Sequence, residues 1–300
     1  MRIAHIGNTA GIGTMLSGEQ QKRGEDTNVF VFDDLTQSRF GGIKINFNSF
    51  FEKTLFYMRL KNYDIWHYHY PYGSLLAYLK KNFKKKIFLK HYHGSDLRMT
   101  KEIDLDFCLV STPDLLKLAP NGKWLPIPVD LKKIERFKME SNNNNNDKSL
   151  HITHYPYYLN KPEWDYFTPT FNYIEKENRS TLFKVINLNH DQSLAAIGKS
   201  DLYVGKIIPE MGWFGTAETE AMALGKPVIA YVSEELHDLY KPPIFRTTKE
   251  TFKKDLLDLI DDESERRRLS EAGPQYVKKN HDLSIISKKV FEYYNYCKNN

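Results

Sequence analysis

The sequence predicts an α/β fold class: two Rossmann-like domains, each a doubly wound parallel sheet, facing each other across a cleft. Short apolar runs alternate with helix-like segments, the alternation starts afresh after residue 150, and a polar tract separates the two series. The length agrees, because 300 residues make about two domains at the usual ~150 residues each.

The first half of the chain carries apolar runs that predict buried strands, because each run is short and rich in Ile, Val and aromatic residues. These strands are predicted at Arg2–Ile6, Asn28–Phe32, Ile65–His67, Ile87–Tyr92 and Phe107–Val110. Helices are predicted between them, at Thr14–Arg23, Phe51–Leu60 and Ser74–Lys81. Strands and helices in alternation predict a parallel sheet that is covered on both faces.

The second half repeats this pattern. Its strands are predicted at Leu150–Thr153, Phe183–Ile186, Leu202–Val204 and Val228–Tyr231. Its helices are predicted at Gln192–Gly198, Thr216–Leu224, Phe252–Asp261 and Leu283–Tyr296. Sheets of this kind bind ligands beyond the carboxyl ends of their strands, so the loops that follow strands are the predicted binding sites.

The domain boundaries follow from the Asn-rich tract, which is too polar to pack into a core. We predict an N-terminal domain at 1–135, a linker at 136–149 and a C-terminal domain at 150–300. The last helix is expected to pack back on the N-terminal domain.

Composition excludes several classes of protein. The chain is 41% hydrophobic and 27% charged, and its two cysteines are too few for a disulfide framework or a thiolate metal site. No stretch approaches the ~18 apolar residues of a membrane helix, and the start lacks the apolar core of a signal peptide. A cytoplasmic globular protein is therefore predicted.

The net charge of +5 is concentrated in the first half, and lysines dominate the segment Lys80–Lys86. This segment is interpreted either as a solvated helix end or as a surface that meets anionic lipid headgroups at the cytoplasmic face of a membrane. No nucleic-acid recognition motif accompanies the lysines, so no nucleic-acid partner is predicted.

A glycine-bearing loop, Gly7–Thr14, joins the first predicted strand to the first helix. Glycines let the backbone approach a ligand and a helix start offers N–H groups to an anion, which makes Gly11, Gly13 and Thr14 candidates for binding phosphate. The pair Asp33–Asp34 follows the second strand, where a dinucleotide-binding fold places its ribose-binding acid. An NAD-dependent oxidoreductase is therefore one alternative, and a tight turn without a ligand is another.

Two histidine pairs, His67 with His69 and His91 with His93, occupy predicted strand ends. Side chains two apart on a strand share a face, so each pair has the spacing to bind a metal. Two alternatives remain: strands that exit to solvent there, and one histidine with a metal-free function. For that function His93 is the strongest candidate, because a turn at Gly94–Asp96 follows it, and we predict no metal ligands.

Residues 205–230 combine a strand, a glycine-bearing loop, a helix closed by Gly225, and Pro227 before a buried strand. The loop and helix start present backbone N–H groups suited to a diphosphate. The residues concerned are Gly212, Trp213, Phe214, Gly215 and Thr216. Glu220 lies one turn into the helix, within reach of ribose hydroxyls. The alternative is an amphipathic core helix with an ordinary exposed glutamate.

This stretch resembles the donor-site motif of the retaining GT-B-fold glycosyltransferases of family 4, in which a glutamate precedes A-M-A-x-G-K-P-V-I-A. The similarity continues at other points in the same order along the chain. These points are the loop 7–13 with Lys22–Gly24, residues 63–69, residues 89–98 with H-G-S-D-L-R, and residues 125–130.

The resemblance assigns roles residue by residue. Glu220 matches the glutamate that contacts the donor ribose, and His93 matches the histidine near the reacting sugar. Gly11 and Gly13 match the loop close to the donor phosphates and the acceptor. By the same resemblance, the domain at 1–135 is the acceptor domain and the domain at 150–300 is the donor domain.

The chain departs from the family pattern in two places. The family's first glutamate, eight positions before Glu220, is Gly212 here, and Glu210 is its predicted replacement. The arginine and lysine that bind the donor diphosphate are not evident, and Lys161 is the predicted lysine.

The resemblance implies a hexosyltransferase-type enzyme that moves a sugar from a UDP- or GDP-linked donor to a glycan or lipid-linked acceptor. It implies retention at the anomeric carbon and neither a metal nor a cofactor. Two alternatives stay open: a catalytically silent member that binds nucleotide-sugar or a partner, because of Gly212, and the NAD-dependent oxidoreductase.

Overall fold

The computed structural model describes residues 1–32, 40–69, 73–138, 150–156, 165, 167–177 and 179–299. The chain divides into two compact units, one formed by Met1–Pro128 with His281–Asn300 and the other by Val129–Asn280. Each unit contains one parallel sheet. The predicted fold class, two doubly wound α/β domains, is confirmed.

The first unit contains a seven-stranded sheet in the order β3-β2-β1-β4-β5-β6-β7. Its strands are β1 Arg2–Ile6, β2 Asp26–Phe32, β3 Ile43–Ile45, β4 Ile65–Tyr68, β5 Ile87–Tyr92, β6 Cys108–Val110 and β7 Lys123–Trp124. Its helices are α1 Ile12–Gln21, α2 Phe50–Leu60, α3 Gly73–Asn82 and α4 Ser95–Thr100, with short 3₁₀ turns at Thr9–Gly11 and Pro113–Lys117.

The second unit contains a five-stranded sheet in the order β12-β11-β10-β8-β9. Its strands are β8 Leu150–His154, β9 Ser180–Lys184, β10 Leu202–Val204, β11 Val228–Ala230 and β12 Phe245–Arg246. Its helices are α5 Leu131–Glu135, α6 Thr168–Lys176, α7 His190–Lys199, α8 Thr216–Ala223, α9 Glu234–Tyr240, α10 Phe252–Asp261 and α11 Glu263–Asn280, with a 3₁₀ turn at Pro209–Met211.

The last helix, α12 Leu283–Asn299, belongs to the first unit. It packs beside α1 on one face of the sheet, where Ile286, Val290 and Tyr294 join the core formed by the alternate residues of β1, β4 and β5. The other face packs against α2 and α3 through a second core centred on Phe56 and Trp66. Both faces of this sheet are therefore buried, as its near-continuous apolar strands require.

Two differences between the predicted and the observed elements have identifiable reasons. The strand predicted at Phe183–Ile186 is observed at Ser180–Lys184, because Phe183 and Ile186 are exposed and their apolar pair does not mark a buried strand. The 18-residue helix α11 is missing from the prediction, because eight of its residues are charged and it contains Pro274.

The predicted linker at 136–149 falls largely outside the described residues. The division of the chain lies after Pro128 rather than at residue 135, and α5 begins the second unit. Among the described residues, no helix combines the length and apolar content needed to cross a membrane.

The lysine-rich segment Lys80–Lys86 spans the end of α3 and the turn after it. Two of its lysines bind carbonyls of the same unit: Lys80 Nζ donates to Asp104, and Lys86 Nζ donates to both Lys61 and Tyr63 at 2.7 Å. The remaining lysines of the segment, Lys81, Lys84 and Lys85, are exposed.

Acid should destabilise the protein through His154 at the end of β8. Its Nδ1 donates to the Val204 carbonyl at 2.8 Å, and burial lowers its pKa to about 4. At pH values between about 4 and the ordinary histidine pKa of ~6.5, His154 binds a proton in the unfolded chain but not in the folded chain. The free energy of unfolding therefore falls as the pH falls. From His154 we expect the free energy of unfolding to drop by about 2 kcal/mol between pH 7 and pH 5.

Urea unfolding followed by circular dichroism at both pH values measures this change. His154→Gln should reduce the difference between the two pH values, whereas His151→Gln, at an exposed position on the same strand, should leave it unchanged. If the free energy of unfolding depended equally on pH in both variants, the effect could not be assigned to His154.

Candidate functional site

Both sheets have a topological switch point, at which successive strands depart in opposite directions. It lies between β1 and β4 in the first unit and between β8 and β10 in the second. Loops at the carboxyl ends of these strands form the ligand crevice of such folds. The loop at 7–14 follows β1 and the loop at 205–215 follows β10, so both predicted loops occupy switch points.

The loop after β10 is anchored by two aromatic rings. Trp213 and Phe214 stack with their centroids 4.4 Å apart, and both side chains are buried. Gly212, at φ 67°, ends the Pro209–Met211 turn, in which Glu210 is exposed. Among the predicted donor-binding residues, Trp213 and Phe214 thus hold the loop in place with their rings, and only their backbone remains to meet a ligand.

Glu218 fixes the shape of this loop. Its Oε1 accepts from the Lys206 amide at 2.8 Å, and its Oε2 accepts from the Gly215 amide at 2.9 Å. The side chain is buried, and a Cβ at Gly205 would lie only 2.6 Å from its Cγ. Glu218 already accepts a hydrogen bond from the Gly215 N–H, so the donor-binding role of Gly215 stays a prediction that this N–H does not support.

The start of α8 nevertheless keeps the properties of an anion site. The first four N–H groups of a helix have no partner within it, which here leaves those of Thr216, Ala217 and Glu218 once Gly215 is capped. A Cβ at Gly215 would lie 3.5 Å from Lys206 Nζ, so an ammonium group lies beside the same helix start. Lys161, the lysine predicted from the sequence, lies outside the described residues.

Glu220 is held by a chain of polar contacts within the second unit. Its Oε1 lies 2.7 Å from His190 Nε2, His190 Nδ1 lies 3.1 Å from Lys133 Nζ, and Lys133 Nζ lies 2.6 Å from Asp191 Oδ1. The ammonium group of Lys133 can only donate, so His190 accepts at Nδ1 and donates to Glu220 from Nε2. Lys133 also lowers the pKa of Asp191.

This chain of contacts gives Glu220 one fixed position. Its side chain is 14% exposed, so it is partly accessible. A carboxylate has about four acceptor sites on its two oxygens, and the bond from His190 uses one of them. The remaining sites suit a pair of hydroxyl groups.

Sequence reasoning missed Lys206, His190 and Glu218. For Glu218 a signal exists, since a glutamate three residues after a helix N-cap is typical of a capping box. His190 begins α7 and Lys206 follows β10, and nothing local connects either residue to α8. Only the packing of the elements brings them together.

In the first unit, Asn8 closes the loop at 7–14. Its Oδ1 accepts from the Thr14 amide at 3.1 Å, and its Nδ2 donates to Thr14 Oγ1 at 2.7 Å. A Cβ at Gly13 would lie 3.1 Å from Asn8 Oδ1 and from the Gly7 carbonyl oxygen, so a larger residue would force one of these groups to shift. The ring of Phe40 covers Gly11, and of the three predicted residues only Thr14 is exposed.

The turn after His93 is built by Asp96. Its carboxylate accepts from the amides of His93, Gly94 and Leu97 at 2.8–3.1 Å. Burial lowers the pKa of His93 to about 4. The turn holds a neutral imidazole at the carboxyl end of β5, in contact with Ser111 Oγ at 2.9 Å.

The histidine pairs do not mark strands that exit to solvent, and that interpretation is wrong. His67, His69 and His91 are fully buried, and His93 is half-buried. They cluster with His5 of β1, which lies opposite His67 in the sheet. The sequence gives no sign of this fifth histidine, because it has no histidine neighbour two residues away. The pair Asp33–Asp34, on which the NAD alternative depends, lies outside the described residues.

No protein-family model matches the chain, and no curated protein sequence matches it. Solved structures do. HepE from Anabaena, solved with UDP and glucose, is similar with a TM-score of 0.68 at 14% identity, over 98% of this chain and 99% of that one. An α-glucosyltransferase solved with UDP and a 13-mer DNA gives 0.68 at 12% identity, over 98% and 99%.

A glycosyltransferase from Rickettsia africae is also similar, with a TM-score of 0.65 at 15% identity, over 100% of this chain and 99% of that one. Sequence identities this low show the fold alone. The chain has the two-domain GT-B fold of these glycosyltransferases.

Proposed function

We propose that the protein is a glycosyltransferase that takes its sugar from a UDP-linked donor held by the second unit. The observation that carries the proposal is Glu220, fixed by His190 one turn into a helix that starts at a capped glycine loop. A carboxylate held at this position suits the two ribose hydroxyls of a nucleotide. HepE and the α-glucosyltransferase were both solved with UDP, which favours uridine over guanosine as the donor nucleoside.

The proposed role of the α8 start is to hold the donor diphosphate. Negative charge develops on this group as the sugar leaves, and fixed N–H groups with a lysine stabilise it without reorganisation. Thr216, Ala217 and Lys206 are the proposed groups. Removing one such positioned donor typically costs about 3–4 kcal/mol of transition-state stabilisation. Within this proposal the transfer needs no metal and retains the anomeric configuration, as the family resemblance implies.

The first unit is the proposed acceptor domain, with His93 near the reacting sugar and Thr14 at the acceptor loop. Glu210, exposed in the turn before Gly212, is the proposed replacement for the glutamate missing there. A glycan or lipid-linked acceptor is proposed, and the exposed lysines of Lys80–Lys86 suit contact with anionic lipid at the cytoplasmic face.

The proposal is tested with a panel of UDP- and GDP-sugars labelled in the sugar. We expect calorimetry to detect binding of UDP. With one UDP-sugar of the panel, we expect transfer of the labelled sugar or slow hydrolysis of the donor. The anomeric configuration of the product, read by NMR, tests retention. Absence of UDP binding in the intact chain would contradict the proposal.

Lys206→Met should weaken donor binding, because it removes the ammonium group beside the start of α8. A hydrogen bond to a charged group is worth about 1.5–3 kcal/mol, so the Kd for UDP should rise roughly tenfold to a hundredfold. Lys199→Met is the matched control, because Lys199 is an exposed lysine of the same unit. Equal Kd values for the two variants would remove Lys206 from the site.

A catalytically silent binding protein is the second candidate, and Gly212 at the position of the family's first glutamate favours it. The same UDP-sugar panel separates the two. Binding without transfer or hydrolysis under any condition supports the silent protein. A loss of transfer in Glu210→Gln, with UDP affinity unchanged, supports the enzyme.

A further inference from the structure

Five histidines share one face of the sheet in the first unit. They are His5 on β1, His67 and His69 at the end of β4, and His91 and His93 at the end of β5. Side chains two apart on a strand point to the same face, and this face is the one that α1 and α12 cover. Four of the five imidazoles are fully buried, at a place where apolar side chains would otherwise pack.

Three of these histidines converge at metal-ligand distances. One ring nitrogen from each of His5, His67 and His69 lies within 4.8 Å of the others, and His5 Nδ1 lies 3.0 Å from His69 Nε2. Zn²⁺ binds imidazole nitrogen at ~2.0–2.1 Å, which places tetrahedral ligand nitrogens roughly 3.3 Å apart. Small side-chain adjustments therefore bring the three nitrogens into a zinc coordination sphere.

The other ring nitrogen of each of these histidines meets its own polar partner. The contacts are His5 Nε2 with Gln20 Oε1 at 2.8 Å, His67 Nδ1 with Tyr294 Oη at 2.8 Å, and His69 Nδ1 with His93 Nε2 at 3.0 Å. Metal-binding histidines characteristically donate their second N–H in this way, which fixes the tautomer and orients the ring.

His67 Nε2 is one of two ring nitrogens of this cluster that the fold leaves without a hydrogen-bond partner in the described part of the chain, and the other is His91 Nδ1. Both atoms are buried. An unpaired buried nitrogen is costly, and a bound cation would satisfy it.

A second trio, His69 with His91 and His93, also has ring nitrogens within 4.8 Å of one another. The second ring nitrogens of this trio have poorer hydrogen-bond partners, because His91 Nε2 and His93 Nδ1 both contact the single hydroxyl of Ser111, at 3.0 and 2.9 Å. In the first trio, the second ring nitrogen of each histidine has a partner of its own. The geometry therefore favours His5, His67 and His69.

We propose that the first unit binds one Zn²⁺ through His5 Nδ1, His67 Nε2 and His69 Nε2. The ion cross-links β1 to the end of β4 next to the loop at 7–14. Because its ligands come from separate strands, its binding free energy adds to the stability of the folded unit. The three ligands belong to the first unit and the proposed donor groups to the second, so the test of zinc binding does not depend on the proposed activity.

The proposal is tested on the full chain, purified without a polyhistidine tag, stripped with a chelator and dialysed against Zn²⁺. Elemental analysis should find about one zinc per chain, and zinc should raise the Tm of the stripped protein. Co²⁺ in place of zinc should give the intense visible absorption of a four-coordinate site. Less than a tenth of an equivalent of zinc, or a Co²⁺ spectrum like that of the free ion, would overturn the proposal.

Variants identify the ligands. His5→Gln and His67→Gln should each weaken zinc binding at least tenfold, whereas His91→Gln, a buried histidine of the same cluster, should retain the ion. Loss of zinc in His91→Gln together with retention in His5→Gln would overturn the assignment. If the ligand variants fail to fold by circular dichroism, the Co²⁺ spectrum and the zinc content of the unmodified chain decide.

Discussion

Glu220→Gln should lower the affinity for a UDP-sugar roughly tenfold to a hundredfold. The substitution keeps the shape of the side chain and removes its charge, so the hydroxyls that it binds lose a charged partner worth about 1.5–3 kcal/mol per hydrogen bond. The contact with His190, at 2.7 Å, loses its charged acceptor as well. Calorimetric titration with UDP and with the UDP-sugar measures the change.

The control for Glu220→Gln is Glu271→Gln, which removes the same charge from an exposed position of α11 in the same unit. It should bind UDP like the unmodified chain. A Kd for Glu220→Gln within twofold of this control would contradict the role proposed for Glu220 and, with it, the donor site.

Glu218→Ala should produce the largest loss of stability. The half-buried amides of Lys206 and Gly215 would each lose a charged acceptor, and a cavity would replace the side chain. We expect the free energy of unfolding to fall by about 3–5 kcal/mol, measured by urea unfolding. UDP affinity should fall with it, because the loop and Lys206 lose their fixed positions.

Glu218→Gln separates the hydrogen bonds from the cavity. It keeps the volume and one acceptor oxygen, so it should recover part of the lost stability. Gly205→Ala tests the same contact from the other side, since its Cβ would lie 2.6 Å from Glu218 Cγ and displace the carboxylate. A loss below about 1 kcal/mol in Glu218→Ala would show that the loop is held by its aromatic rings instead.

The elements that could be predicted from the sequence are those whose buried positions are occupied by apolar residues. The strands Ile87–Tyr92 and Leu202–Val204 and the helix Phe252–Asp261 are observed with their predicted bounds. The helix α11 was missed because it buries only Leu269, Gly273 and Val277, and so has no apolar stripe along its length. Packing, and not periodicity, places such an element.

The candidate site was predictable in part for a related reason. A motif in one segment points to Glu220 and the loop before it, because all of its residues are close in sequence. His190 and Lys133, which fix Glu220, come from two other helices, and no local pattern connects them. His5 was missed for the same reason. It pairs with His67 across two strands, and the order of strands in the sheet must be known before this pairing can be predicted.

The return of α12 to the first unit has a consequence for synthesis on the ribosome. The second unit is one continuous segment inserted into the first, which lacks Leu283, Ile286, Val290 and Tyr294 of its core until translation has passed the whole second unit. Val129–Asn280 therefore has all of its own chain before the surrounding unit does. A circular permutant that begins at His281 would supply the missing helix first and reverse that order.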